Sequence, residues 1–337
     1  MLSIVCSAIL CDLCYLLIIL LSMMSTAASK KSSDDAVMMM CCASCGIAEV
    51  DDVKLKDCDD GCDLVKYCSD ACQENHRQQH SGECKKRLAE LRDRDLFTQP
   101  DESHWGECPI CCLPLSIDVK KSTSMSCCSK SICKGCDYAN KKREKEAGLE
   151  ERCAFCREPL PKTREEVNKY MMKRIKKKCP AAMRQMGVRR HEEGDYKTAL
   201  EYLTKAAELG DAHAHFKFSV MYRKGEGVEK DTKKEMYHLE EAAIGGHPTA
   251  SHNLGIIEWR NGRFERARKH FIIAANLGYH DSLEGLRKLY AWGHASKEDY
   301  ANALRAYQVA VDATQSSERE RAEEAWKNGE TKYEIFV

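Results

Sequence analysis

The stretch CSDACQENHRQQHSGEC, residues 68–84, holds three cysteines and a histidine in two closely spaced pairs. Zinc takes four sulfur or nitrogen ligands in a tetrahedron, and a short spacing lets one turn present two of them. His80 and Cys84 lie four residues apart and therefore fit one face of a helix. With two pairs upstream, the segment predicts eight ligands and two zinc ions: Cys42, Cys45, Cys58, Cys62, Cys68, Cys72, His80 and Cys84.

This segment resembles a MYND-type zinc finger over its whole length. The resemblance implies interleaved pairs, so that Cys42 and Cys45 share a zinc ion with Cys68 and Cys72. The second ion would then be held by Cys58, Cys62, His80 and Cys84. His76 is predicted to be a surface or supporting histidine rather than a ligand.

A second cysteine cluster follows within residues 106–160. It again supplies eight candidate zinc ligands: Cys108, Cys111, Cys127, Cys128, Cys133, Cys136, Cys153 and Cys156. Three of its pairs have two intervening residues, and one pair is adjacent. These spacings favour metal thiolates over disulfides.

The motifs Cys108-Pro-Ile-Cys111 and Cys153-Ala-Phe-Cys156-Arg157 resemble the first and last ligand pairs of a RING domain in an all-cysteine form. The resemblance implies a cross-brace, with the first and third pairs on one zinc ion and the other four cysteines on a second. It also implies that Ile110 contacts a ubiquitin-conjugating enzyme and that Arg157 helps to activate bound ubiquitin. An active ligase and a RING-shaped interaction module without activity both remain open.

Helical repeats are predicted from Pro180 to about Asp312. The landmarks Ala206-Ala207, Ala242-Ala243, Ala274-Ala275 and Ala306-Tyr307 recur at intervals of 36, 32 and 32 residues. The first three are each followed by a glycine at the same offset, which supplies the left-handed residue that ends a helix. These units resemble Sel-like repeats, relatives of the tetratricopeptide repeat, and the resemblance implies a stack that binds other proteins or peptides.

Other polar features receive ordinary interpretations. We predict that five histidines of the repeats are packing or surface residues rather than metal ligands: His213, His215, His238, His247 and His252. The segment Lys141–Arg152 is predicted to be solvated, and the tail Ser316–Glu330 to be a solvated terminal helix. The run Lys169–Lys178 is predicted to be a basic linker or a localisation signal.

Composition limits the functional class. Of the 21 cysteines, 17 lie between Cys41 and Cys156, and none follows Cys179. The formal net charge is zero, with 53 basic and 53 acidic residues, so that general attraction to nucleic acid is not expected. No catalytic triad, paired-carboxylate motif or complete phosphate loop is found. A secreted disulfide protein is the alternative that the spacings disfavour.

The apolar beginning of the chain is ambiguous. Leu13–Met24 has the length of a signal-peptide core and is too short to span a bilayer alone. A weak anchor, a signal peptide and an upstream extension remain open, and a membrane contact is expected only through residues 1–24. We expect a cytoplasmic or nuclear protein, or one anchored in a membrane and facing the cytosol.

The sequence therefore predicts a multidomain chain with two small zinc-stapled α+β finger modules and an all-α helical-repeat solenoid. The predicted parts are an apolar segment (1–29), a MYND-like finger (42–84), a linker (85–105), a RING-like finger (106–160), a basic linker (161–179), repeats (180–312) and a charged tail (313–337). Four zinc ions are expected. The predicted function is protein interaction. Its two possible forms are a RING-type ubiquitin ligase that recruits substrate through its repeats and a non-enzymatic adaptor.

Overall fold

The computed structural model of this chain describes residues 41–47, 49 and 54–330. It forms two compact units, Met1–Ala89 and Glu90–Val337. The predicted apolar segment at residues 1–29, with its anchor and signal interpretations, lies outside the described residues. Among the residues that are described, no helix is both long and apolar enough to cross a membrane.

The first unit is built around its cysteines. Strand β1 (Lys56–Asp57) pairs antiparallel with β2 (Lys66–Tyr67), and Cys42 forms an isolated bridge with Lys66. Helix α1 (Asp70–Phe97) starts just after β2. The buried cluster contains four candidate ligands but only two other side chains, Leu55 and Tyr67. So small a core cannot stabilise a fold by apolar burial alone.

The second cysteine cluster opens the second unit and also contains little regular structure. A 3₁₀ turn (Val119–Lys121) leads into β3 (Ser122–Ser124), which pairs antiparallel with β4 (Ser131–Cys133). Helix α2 (Lys134–Glu146) follows at once, and the Cys133 Sγ accepts a hydrogen bond from the backbone N–H of Cys136. We call residues 106–160 the second cysteine module.

The remainder of the second unit is helical. Its helices are α3 (Arg164–Lys176), α4 (Pro180–Glu192), α5 (Tyr196–Glu208), α6 (Ala212–Lys224), α7 (Thr232–Ile244), α8 (Pro248–Arg260), α9 (Phe264–Asn276), α10 (Asp281–Ala291), α11 (Lys297–Asp312) and α12 (Ser317–Lys327). Helices α4 with α5, α6 with α7 and α8 with α9 pack as antiparallel pairs, and each pair packs on the next. The predicted fold class, small zinc-finger modules with few strands followed by an all-helical repeat array, is confirmed.

Local sequence signals set where the repeat helices begin and end. Asp211 and Asp231 cap the first turns of α6 and α7 by accepting backbone N–H bonds, and Pro248 occupies the first turn of α8. Side-chain caps and an N-terminal proline are strong helix-start signals. The predicted glycines Gly210, Gly246 and Gly278 all have positive φ, from 75° to 87°, the conformation that glycine adopts without strain.

Close packing links consecutive helix pairs. Phe271 of α9 is buried, and a Cβ added at Gly255 of α8 or Gly285 of α10 would come within 2.7 Å or 2.9 Å of its ring. The absence of a side chain at these two positions therefore lets three helices meet around one aromatic ring.

Three segments differ from their predicted description. The basic linker is largely helix α3, whose Val167 and Met171 are buried against Met186 of α4. Within the predicted linker 85–105, the end of α1 places Leu96 in a buried cluster with Leu239 and other residues of α7 and α8. The tail helix α12 packs against α2 instead of being solvated on all sides. In each segment the contacts that bury it come from residues distant in the chain or from a neighbouring helix.

Candidate metal centres

The first ligand group in the first unit consists of Cys42, Cys45, Cys68 and Cys72. The Sγ of Cys68 lies 3.5 Å from that of Cys45 and 3.6 Å from that of Cys72. A disulfide bond is about 2.05 Å long, whereas Zn–S bonds of about 2.3 Å give a tetrahedral edge of roughly 3.8 Å. The sulfurs are therefore spaced to surround one ion rather than to bond to each other.

The second group consists of Cys58, Cys62, His80 and Cys84, all buried. The loop between β1 and β2 provides the first two, and successive turns of α1 provide the others. The Nε2 of His80 lies 3.1 Å from the Sγ of Cys62. Within the described residues, the ligands come together in the interleaved order that the MYND resemblance implied.

His76 lies beside this group but is not a member of it. Its Nδ1 is 3.0 Å from the hydroxyl oxygen of Tyr67, and its ring stacks on that of His80 with centroids 5.8 Å apart. It therefore supports a ligand-bearing part of α1 without facing the sulfurs.

Two thiols of the first unit resist ionisation in the absence of a cation. Contacts with Cys45 and then Cys72 raise the pKa of Cys68 to about 12, and burial raises the pKa of Cys84 to about 12. Several thiolates in so small a volume are costly unless a cation compensates their charge. A divalent metal ion does so and holds its thiol ligands deprotonated. The donor set, mostly sulfur with one imidazole, fits zinc.

The second cysteine module contains two further groups, which are Cys108 with Cys111, Cys133 and Cys136, and Cys127 with Cys128, Cys153 and Cys156. The Sγ atoms of Cys111 and Cys133 are 3.8 Å apart. Those of Cys127 and Cys156 are 3.3 Å apart, and those of Cys128 and Cys153 are 3.9 Å apart. Proximity to Cys133 lowers the pKa of Cys108 to about 4, whereas burial raises that of Cys136 to about 12. The close approach of four sulfurs in each group is the geometry of a cation-binding site.

The same turn closes three of the ligand pairs. In each, the residue after the second cysteine has a left-handed backbone: Gly46 (φ 75°), Cys112 (φ 54°) and Arg157 (φ 63°). Its N–H donates to the carbonyl oxygen of the first cysteine, at 2.9 Å, 2.9 Å and 3.0 Å respectively. A non-glycine residue there costs on the order of 1–2 kcal/mol. The strained turn therefore persists because ligand geometry requires it.

The two predicted partner-contact residues lie in different surroundings. Ile110, between Cys108 and Cys111, is 42% exposed. The guanidinium of Arg157 donates to Asn140 Oδ1 at 2.6 Å and to Glu144 at 2.7 Å. Glu144 is fully buried and also accepts the backbone N–H of Arg152. The expectation that Lys141–Arg152 is solvated is wrong at Glu144, because three donors compensate its burial.

Helix α12 closes over the second cysteine module. Arg319 donates to the carbonyl oxygens of Pro114 at 2.7 Å and Leu113 at 3.2 Å, and its Nη2 lies 3.4 Å from the Sγ of Cys111. Ala322 is buried, and a Cβ added at Gly135 of α2 would meet the Arg319 backbone nitrogen at 2.8 Å. This is the physical reason why the predicted solvated tail is wrong: its small residues and one arginine bind the module.

A basic groove of about 1510 Å³ lies within the second unit. Its walls are the second cysteine module and helices α3, α4, α6 and α12. Nine lysines and arginines line it against four acidic residues; the basic ones are Lys120, Lys121, Lys134, Lys141, Lys162, Arg184, Arg189, Lys217 and Arg319. Four of the basic groups are paired with carboxylates, Lys121 with Glu323, Lys141 with Asp137, Lys162 with Glu150 and Arg184 with Asp211. The local excess of positive charge is therefore modest.

Comparison with family models supports two of the three predicted parts. The MYND finger model matches residues 42–84, and the Sel1 repeat model matches residues 180–211, 212–247 and 252–279. The chain therefore contains a MYND finger, which implies zinc, and Sel1 repeats. No family model matches the second cysteine module as a RING finger. No curated protein sequence matches the chain.

Two solved structures are similar to about half of the chain. A Sel1 repeat protein from Oxalobacter formigenes aligns with 24% identity and a TM-score of 0.40, covering 49% of this chain and 50% of that one. A protective antigen present in uropathogenic Escherichia coli strains, which displays an SLR fold, aligns with 22% identity and a TM-score of 0.36, covering 50% of this chain and 37% of that one.

Neighbouring cysteines provide a direct test of the ligand assignment. We expect Cys111→Ser to lower the zinc content by one ion, because Cys111 belongs to a four-sulfur group. Its neighbour Cys112 is exposed and belongs to no such group among the described residues, so Cys112→Ser should leave the zinc content unchanged. Native mass spectrometry of the full chain measures both. Equal zinc counts in the two variants would contradict the assignment.

Proposed function

We propose that this protein is a zinc-stabilised interaction adaptor that holds an acidic segment of a partner protein in its basic groove. Four zinc ions, two in the MYND finger and two in the second cysteine module, stabilise the fingers. The proposal rests on the groove itself. Its walls come from two different structural parts, and basic side chains outnumber acidic ones along it.

One of these lysines carries an unfavourable burial that an acidic ligand would relieve. Burial lowers the pKa of Lys217, whose side chain is partly buried. A carboxylate placed beside a buried ammonium favours its charged form. The groove is therefore better suited to a partner's aspartates and glutamates than to a neutral peptide.

The adaptor function also fits the chemistry that the chain carries. Sel1 repeats stack into extended surfaces, and MYND fingers are interaction modules. The described cysteines are free thiols, and all but Cys41, Cys112 and Cys179 are arranged as metal ligands, which suits a reducing compartment. We accordingly propose a cytoplasmic or nuclear protein, with a membrane-anchored form facing the cytosol as the alternative.

Charge reversal on opposite walls of the groove tests this function. We expect Lys120→Glu and Lys217→Glu each to weaken binding of a fluorescent Asp/Glu-rich peptide about tenfold, or about 1.4 kcal/mol. Added salt should weaken binding to the wild-type protein as well. Fluorescence anisotropy with the full zinc-loaded chain measures the affinity.

The matched control is Lys297→Glu, which reverses an exposed charge on α11 outside the groove. It should leave peptide affinity unchanged, and a peptide with Gln in place of Asp and Glu should bind weakly to every variant. An equal loss of affinity in Lys297→Glu would place the acidic peptide elsewhere. Tight binding of the neutral peptide would remove the charge argument.

A RING-type ubiquitin ligase is the second candidate, and the observation that favours it is the exposure of Ile110 between two candidate ligands. Such a module would act by positioning a thioester carried by a conjugating enzyme. Two contacts weigh against it: Arg157 is engaged with Asn140 and Glu144, and α12 packs on α2.

Ubiquitin discharge separates the two functions. The adaptor function predicts no discharge from a panel of charged conjugating enzymes by the full zinc-loaded chain, and no difference between wild type and Ile110→Ala. Discharge that is lost in both Ile110→Ala and Arg157→Ala would establish the ligase instead. Zinc content is measured in parallel, so that loss of fold is not read as loss of activity.

A further inference from the structure

Three histidines from distant parts of the second unit converge outside the four sulfur groups. His104 lies between α1 and the second cysteine module, His213 is in the first turn of α6, and His247 directly precedes α8. One ring nitrogen of each lies within 4.8 Å of those of the other two. Of the described residues, only these three form a metal-type cluster made of histidines alone.

Backbone contacts hold the segment that carries His104 close to the turn that carries His247. The N–H of His104 donates to the carbonyl oxygen of Gly246 at 2.9 Å, immediately before His247. Gly246 has a φ of 75°, and a Cβ there would come within 2.7 Å of the Glu102 carbonyl oxygen. The glycine therefore allows the segment before the second cysteine module to lie directly on the turn between α7 and α8.

The imidazole nitrogens lack the hydrogen-bond partners that buried polar atoms normally have. His247 is only 4% exposed, and its Nδ1 has no partner. Both ring nitrogens of His104 are buried without a partner. The Nδ1 of His213 and the Nε2 of His247 share the one hydrogen bond within the cluster, at 3.2 Å. Unpaired nitrogens in a buried cluster require an explanation.

We propose that His104, His213 and His247 form a three-histidine zinc site that clamps the segment before the second cysteine module onto the repeats. The Zn–N distance of about 2.0–2.1 Å gives a tetrahedral edge of roughly 3.4 Å. The Nδ1 of His213 and the Nε2 of His247 are 3.2 Å apart, close to this edge, and the three nitrogens all lie within 4.8 Å of one another. The His104 ring stacks on that of His247 with centroids 4.1 Å apart, so His104 must rotate for its nitrogen to face the same ion. Imidazole suits zinc among the divalent metals, and an exchangeable water completes the tetrahedron.

Nearby charges do not exclude a cation. The closest basic group is Arg184, whose guanidinium lies over the Trp105 ring at 5.2 Å from its centroid. It is paired with Asp211 at 3.0 Å, and both side chains are nearly buried. The pair leaves little uncompensated positive charge beside the three rings.

The test compares zinc content between full-length variants. We expect His104→Gln and His247→Gln each to contain one zinc ion fewer than wild type by native mass spectrometry, whatever the number held by the sulfur groups. Heating should reveal the same site, because added zinc stabilises only a protein that binds it. The rise in denaturation temperature on saturating zinc should be smaller in both variants than in wild type.

His270→Gln is the matched control. His270 is fully buried, and both of its ring nitrogens also lack partners, but it belongs to no metal-type cluster. This variant should keep the wild-type zinc count even if it is less stable. Unchanged zinc content in His104→Gln and His247→Gln, or an equal loss in His270→Gln, would overturn the proposal. Since the sulfur ligands are intact in all three variants, this result is independent of the adaptor function.

Discussion

We propose that the coordination of metal by sulfur is the constraint on which both cysteine-rich modules depend. In the first unit, four of the six fully buried core side chains are candidate ligands. In the second cysteine module, Cys108, Cys133 and Cys153 share the core with only three other side chains, Leu115, Met125 and Ile132. Apolar burial at about 25 cal/mol per Å² cannot hold so few side chains against chain entropy. In these modules the metal centre therefore takes the place of a hydrophobic core.

The second unit joins such a module to a scaffold that is stabilised in the ordinary way. The repeat helices bury alanines, leucines and Phe271 in continuous clusters. The module meets this scaffold through α12, where Arg319 contacts the loop that carries Cys111. The basic groove lies between the two, so its shape depends on both the metal-stabilised part and the apolar one.

The sequence predicted the local parts well, and this has a physical reason. Ligand pairs, helix caps and repeat glycines are short-range features. The roles of residues such as Cys42, His80 and Gly246 can therefore be predicted from the few residues on either side of them. The MYND finger and the Sel1 repeats were recognised on that basis. The pairing of ligands in the second cysteine module came from resemblance, because spacing alone does not decide which pairs share an ion.

Features formed by distant segments were missed. Arg319 reaches Cys111 across more than 200 residues, and nothing around either residue indicates the contact. His213 and His247 were predicted to be packing or surface residues, and their rings do stack on each other. His104 was not singled out, because its ring meets theirs only after the repeats have stacked. The burial of Glu144 was missed for a different reason: its donors Asn140, Arg152 and Arg157 are only 4 to 13 residues away, but they surround it only once the module has folded.

Hydrogen–deuterium exchange on the full chain, before and after removal of zinc by a chelator, tests the central claim most directly. The account predicts that amides of residues 54–84 and 106–160 lose protection when zinc is removed, whereas those of α4 to α9 keep theirs because apolar packing holds them. Unchanged protection of both finger modules without zinc would contradict the claim that metal coordination replaces their core.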